Sequence, residues 1–176
     1  MPLHIIIDGY NMIHRSRSLG IARYDDLEKI RNRLLKNLAA YKKIKQHRMT
    51  VVFDGANAPS LVPSRTRLEG IEIHFSRIGE SADSVIKKMA ESEREKALVV
   101  SSDREVAAHA ASRGSAVISS DEFEEKISFV LKMKEMDPGS DEKDDNSGSA
   151  PATKKKGPKR RLSKKERKNR LKLVKI

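Results

Sequence analysis

The chain has 176 residues, enough for one sizeable core plus extras, and no cysteine, which excludes a disulfide scaffold, a thiolate metal site and a cysteine nucleophile. No apolar run approaches the roughly 20 residues that span a bilayer, and the N-terminus lacks the basic-then-apolar pattern of a secretory leader; the expectation is a cytoplasmic protein with no membrane partner. Fourteen of the 37 Lys and Arg but only six of the 25 Asp and Glu lie from Asp137 onward, so +8 of the formal +12 sits in a tail, which suggests a polyanionic partner such as RNA or simply a solvated tail.

In chain order, Leu3–Asp8 is a β-branched apolar run that predicts a buried strand ending on Asp8 and Gly9. Glycine permits a sharp exit there and close approach of a ligand. After a short segment around Asn11–Leu19, Leu27, Ile30, Leu34, Leu35, Leu38 and Ala39 recur at helical spacing, with Asp25 or Asp26 as N-cap and an end near Lys45. Met49–Phe53 is a second strand closing on Asp54-Gly55. Gly55–Leu68, with Pro59 and Pro63, reads as a loop carrying Arg65 and Arg67.

Ile71–Phe75 alternates as a strand nearer the sheet edge would. Ser81-Ala82-Asp83-Ser84 opens a helix running to about Lys96, and Ala97–Ser101 is another continuous apolar strand. Arg104–Arg113 is a short helix stopped by Gly114, Ala116–Ile118 a short strand, and Ser120-Asp121 the cap of a last helix. Strands alternating with helices predict an α/β fold with a mainly parallel sheet and right-handed crossovers.

A domain over 1–136 is therefore expected, followed by an acidic, disordered linker over 137–153 and a basic tail over 154–176. The tail offers Lys154, Lys155, Lys156, Arg160 and Arg161 to phosphates, and Ser163–Glu166 matches a capping box. With few apolar residues, it should order only on binding, and deleting Asp137–Ile176 should leave the domain folded.

Asp8, Asp54 and Asp103 each follow an apolar strand or its last short polar step, and Asp83 lies where a helix starts. Parallel sheets place ligands outside the carboxyl ends of their strands. Four acids on one rim would repel unless protonated or neutralised by a hard dication such as Mg²⁺ or Mn²⁺. Such a site can activate water for in-line phosphoryl displacement. A capping aspartate would look the same one position at a time; four in matching contexts favour the site.

The stretches IIIDGYNMI, VVFDG, ESADSVIKKM and VVSSDREV, in that order over about Met1–Lys134, resemble the NYN branch of the PIN-like nucleases, specifically the YacP-like branch. The resemblance implies a three-layer fold with a parallel sheet, metal-dependent RNA cleavage, and ribosome-linked mRNA decay. Carried over by position, Asp8, Asp83 and Asp103 are the metal-site candidates, with Asp54 next. Asn11 would orient water or phosphate, or cap the following helix. Ser101 and Ser102 would donate to a phosphate or ligand, or be ordinary strand-end residues. Glu105 is an outer acid or a first-turn acid, Arg65 and Arg67 substrate contacts or a solvated loop, and the five histidines incidental. Oligomeric state is left open.

A non-catalytic RNA- or ribosome-binding module is the competing reading, which four concentrated acids argue against. An aspartate-nucleophile phosphatase would want a second acid two residues after Asp8, where Tyr10 stands.

Overall fold

A computed structural model of the chain describes residues 3–16, 27–55, 65–136 and 164–176. Its elements are β1 (His4–Asp8), α1 (Gly9–Arg15), α2 (Leu27–Lys45), β2 (Arg48–Phe53), β3 (Arg65–Leu68), β4 (Ile71–Phe75), α3 (Ala82–Glu93), a 3₁₀ turn (Arg94–Lys96), β5 (Ala97–Val100), α4 (Arg104–Ser112), β6 (Ala116–Ile118), α5 (Ser120–Met136) and α6 (Lys164–Lys175). The described strands form one six-stranded sheet in the order β3-β4-β2-β1-β5-β6. All pairings are parallel except β3 with β4.

The isoleucine run lies at the centre of this sheet, fully buried. Strand alternation sends Ile5 and Ile7 into a core with Leu34, Leu38, Phe123 and Ile127 of α2 and α5. Ile6 goes to the opposite face, with Ile86, Ala90, Val106 and Ala110 of α3 and α4. The result is the expected three-layer α/β fold. From β1 the chain builds β2 and β4 on one side, then crosses to β5 and β6 on the other, so the carboxyl end of β1 is the switch point of the sheet.

Three features depart from expectation. A seven-residue helix, α1, starts directly from Asp8. Arg65 and Arg67 lie not on a loop but on β3, antiparallel to β4, with Arg65 beside His74 and Arg67 beside Glu72. The two-residue turn between them, Glu69-Gly70, has φ of 46° and 79°, the positive values of a tight hairpin turn.

The tail is also not wholly detached. α6 packs beside β6 and α5: Ile176, 4% exposed, joins the α2–α5 core, with Leu173 against it. Lys126 donates to the Leu173 carbonyl at 2.8 Å, and the Lys175 carbonyl lies 3.4 Å from His47 Nε2. Four apolar residues are too few to show periodicity, yet two of them seal an open edge of the core. Order here does not wait for a partner. The capping residues Asp25 and Asp26, most of the loop after Gly55, the acidic linker, and the basic run with Lys154–Lys156, Arg160 and Arg161 lie outside the described residues.

Candidate active site

Asp8 ends β1 and caps α1: its Oδ1 accepts the Asn11 backbone N–H at 3.2 Å. Its Oδ2 accepts the Ser101 hydroxyl at 3.1 Å. That hydroxyl in turn accepts the Asp103 N–H, also at 3.1 Å. Asp103 caps α4 by accepting the N–H groups of Glu105 and Val106 at 2.7 and 3.0 Å. The cap and site readings are therefore not alternatives here, because capping is what aims these carboxylates.

The four aspartates come from four elements. Asp8 follows the central strand, Asp103 its neighbour β5, Asp54 its other neighbour β2, and Asp83 the first turn of α3. Burial raises the pKa of Asp8 above its ordinary carboxylate value; the Asn11 and Ser101 hydrogen bonds oppose this, and Asp83 and Asp103 add to it. Burial and then Asp103 likewise raise Asp83, with Lys87 opposing and Glu105 and Asp54 adding. The rim is a set of acids that repel one another. Lys87, bound to Glu105, has its own pKa raised by that partner and by Asp83 and Asp103.

Such an all-oxygen, mutually repelling donor set suits a hard dication. Among the described residues, however, no three acidic or histidine side chains stand close enough together to hold one ion, so the expected four-aspartate cage is not preformed. Mg²⁺ commonly keeps several waters and uses only one or two carboxylates plus a substrate phosphate, a mode this rim does fit.

The glycines after the acids serve the protein rather than a ligand. A Cβ on Gly9 would lie 2.3 Å from Phe53 Cε1, and one on Gly55 would lie 1.9 Å from the Ser76 carbonyl oxygen. Gly55 N–H also donates to Ser76 Oγ at 2.9 Å, which clamps the Asp54 turn to the end of β4. Ser101 and Ser102, expected as donors to substrate, are engaged internally: Ser101 holds Asp8, and Ser102 donates its N–H to Asn11 Oδ1 at 2.9 Å.

Asn11 is held by a residue that a sequence reading passes over. Ser120 Oγ donates to Asn11 Oδ1 at 2.8 Å, and its N–H reaches Ser102 Oγ at 3.1 Å. With Oδ1 receiving two donors, only the NH₂ of Asn11 is left for a ligand. Ser120 can do this because Ser119, not Ser120, caps α5: Ser119 Oγ accepts the Glu122 N–H, and Glu122 Oε2 accepts the Ser119 N–H. The Ser-x-x-Glu spacing of a capping box at 119–122 was the available signal.

His4 is structural, bonded to Thr50 Oγ1 at 2.8 Å and Glu93 at 3.1 Å. Arg67 faces Glu72 at 3.7 Å. Arg65 has no carboxylate partner among the described residues.

A family model described as the YacP-like NYN domain matches residues 5–175. The uncharacterized protein YacP of Bacillus subtilis strain 168 is 31% identical over 87 residues, 49% of this chain and 51% of its own length. The chain thus spans about half of that curated relative. Crystal structures of Rae1 (YacP) from Bacillus subtilis are similar. A mutant form matches with a TM-score of 0.64 and 23% identity, over 76% of this chain and 80% of that one. At that identity it speaks for the fold alone. A second structure has a TM-score of 0.57 and 25% identity, over 78% and 84%.

Proposed function

Because the chain belongs to the YacP-like NYN domain family, we propose that it is a divalent-metal-dependent endoribonuclease that cleaves RNA phosphodiester bonds beside Asp8. The observation carrying this reading is the repulsive carboxylate rim at the switch point of the sheet, where burial and neighbouring acids raise both Asp8 and Asp83. One or two of Asp8, Asp83 and Asp103, with Asp54 on the far side, would hold Mg²⁺ or Mn²⁺ together with waters and a substrate phosphate. When bound, such an ion neutralises phosphate charge and acidifies water.

The chain's own residues supply position. Asn11 N–H and Ser101 O–H fix the two oxygens of Asp8, and the first turn of α4 fixes Asp103. The Ser102–Asn11–Ser120 network holds the Asn11 amide so that its NH₂ can meet a substrate oxygen. Lys154–Lys156, Arg160 and Arg161 add sequence-independent affinity through counterion release. An mRNA substrate on the ribosome, in the cytoplasm, is the finer form of the proposal.

Incubating the purified protein with generic RNA and Mn²⁺ tests it. Cleavage abolished by chelation, and lost in Asp83→Asn and in Asp103→Asn while both remain folded, is the expected result. RNA binding without cleavage under any divalent ion would establish the non-catalytic binding module instead.

A further inference from the structure

On the α3 side of the sheet, a groove of about 630 Å³ opens between α3 and the β3–β4 ribbon, with Val85, Lys88 and Met89 on one wall and Arg65 and His74 on the other. Register places Arg65, His74 and Val52 in one row that ends on Asp8, at the carboxyl ends of the parallel strands. His74 is thus two strands from Asp8, roughly 10 Å, and Arg65 three, roughly 14 Å. Arg77, in the turn after β4, lines this groove and also a cleft of about 300 Å³ that contains Asp54. One surface therefore runs from the acidic rim into a cationic trough.

The trough has the marks of a site waiting for an anion. Glu80, its acid, is already paired with Lys88 at 2.6 Å. Neither Arg65 nor Arg77 has a carboxylate partner among the described residues. His74 Nδ1 is buried without a hydrogen-bond partner among the described residues. Resting on the ribonuclease reading, we infer that Arg65, His74 and Arg77 form a second phosphate subsite that grips the RNA backbone a few nucleotides from the scissile bond.

Two guanidinium forks suit phosphate oxygens, and a protonated imidazole between them would add a third donor. Burial and then Arg65 lower the pKa of His74 from its ordinary imidazole value, Glu80 opposing and Arg77 adding. The charged and titratable groups around this ring are Arg65 from β3, Glu72 from its own strand, Arg77 and Glu80 from the turn, Lys88 and Glu93 from α3, and His4 and Arg48 from β1 and β2. A phosphate between the arginines reverses the local field and draws a proton onto His74. The complex then holds more protons than the free protein, so affinity rises as pH falls.

The test measures anisotropy of a labelled single-stranded RNA dodecamer with the full chain in EDTA. Arg65→Ala/Arg77→Ala should weaken binding about tenfold or more, as expected for lost charge-assisted bonds. The slope of log affinity against log salt should fall by about 0.7 per phosphate released. Lys43→Ala/Arg113→Ala removes equal charge elsewhere and should change little. Wild-type binding should strengthen between about pH 8 and about pH 6, where an imidazole titrates, and His74→Gln should flatten that dependence.

Affinity and salt slope unchanged in the arginine variant, or an equal loss in the control, would overturn the subsite while leaving Mn²⁺-dependent cleavage standing. Absence of any cleavage, with the arginine-specific loss of binding intact, would overturn the nuclease reading and leave the subsite.

Discussion

Replacing Asp8 by asparagine keeps the shape of the side chain and removes its charge. Two hydrogen bonds end on this carboxylate, at 3.2 and 3.1 Å. A charge-assisted bond contributes about 1.5–3 kcal/mol and a neutral one about 0.5–1.5, so the one acceptor oxygen of asparagine forfeits about 1 kcal/mol at the Asn11 N–H. Its NH₂ keeps a bond to Ser101 only by donating to Oγ, at a similar cost. Against that stands the cost of an ionised group only 7% exposed, with Asp83 and Asp103 nearby. Burying an ion costs several kcal/mol. Because the pKa of Asp8 is raised overall, the penalty outweighs what the hydrogen bonds return, and asparagine has no charge to bury. The variant should be more stable by about 1 kcal/mol without metal at neutral pH, or about 2–4 °C for a chain of this size.

The pH dependence follows from proton counting. Folded Asp8 keeps its proton at pH values where the unfolded residue, with a pKa of about 3.9, has lost it. Wild-type stability is therefore lost as pH rises from about 4 through the raised value, and the loss is complete above it. Asp8→Asn has no such term, so its advantage should be full near pH 8 and vanish near about pH 4. Calorimetric melting of both proteins in EDTA across that range is the assay. A variant that melts lower at alkaline pH by a margin independent of pH would refute the reasoning. It would make Asp8 an ordinary cap, whose loss costs about 1 kcal/mol.

Gly9→Ala should destabilise by about 1–3 kcal/mol, as overpacking does. The new Cβ meets Phe53, whose ring is wedged between Tyr10 and Phe75 at centroid distances of 5.1 and 5.6 Å. A lowered urea midpoint with an unchanged slope would show it. Ile176→Ala should cost about 2 kcal/mol, the low end for an emptied core site, whereas Val174→Ala, at a position 73% exposed, should stay within about 0.5 kcal/mol. Equal midpoints for the two would mean that α6 does not hold the core.

The central strands were legible because a buried parallel strand must be apolar on both faces, as Ile5–Ile7 and Leu98–Val100 are. The aspartates were legible because each stands where such a run stops. β3 was hidden because all four of its residues are exposed and two are arginines, leaving no alternation to read. α1 was hidden by brevity and by Asp8 serving as both strand end and cap. A helix start near α6 was legible in the Ser163–Glu166 capping box, but its docking was hidden because it rests on Ile176 and Leu173, and long-range seating leaves no periodic trace. His74 became a candidate only once register set it beside Arg65, and Arg77 once the turn after β4 brought it to the same groove, relations between segments that no local pattern encodes.

Among the described residues β3 is also an outermost strand, and this gives its arginines a second consequence. An exposed edge offers unpaired backbone donors and acceptors on which another chain could extend the sheet, and charge along that edge discourages such growth. Arg65 and Arg67 alternate with Thr66 and a half-exposed Leu68, so neutralising both cations would leave a strand free to pair with its like. Apolar replacements at these positions should therefore promote self-association as well as loss of RNA. Colloidal behaviour and substrate affinity are tied to the same short ribbon.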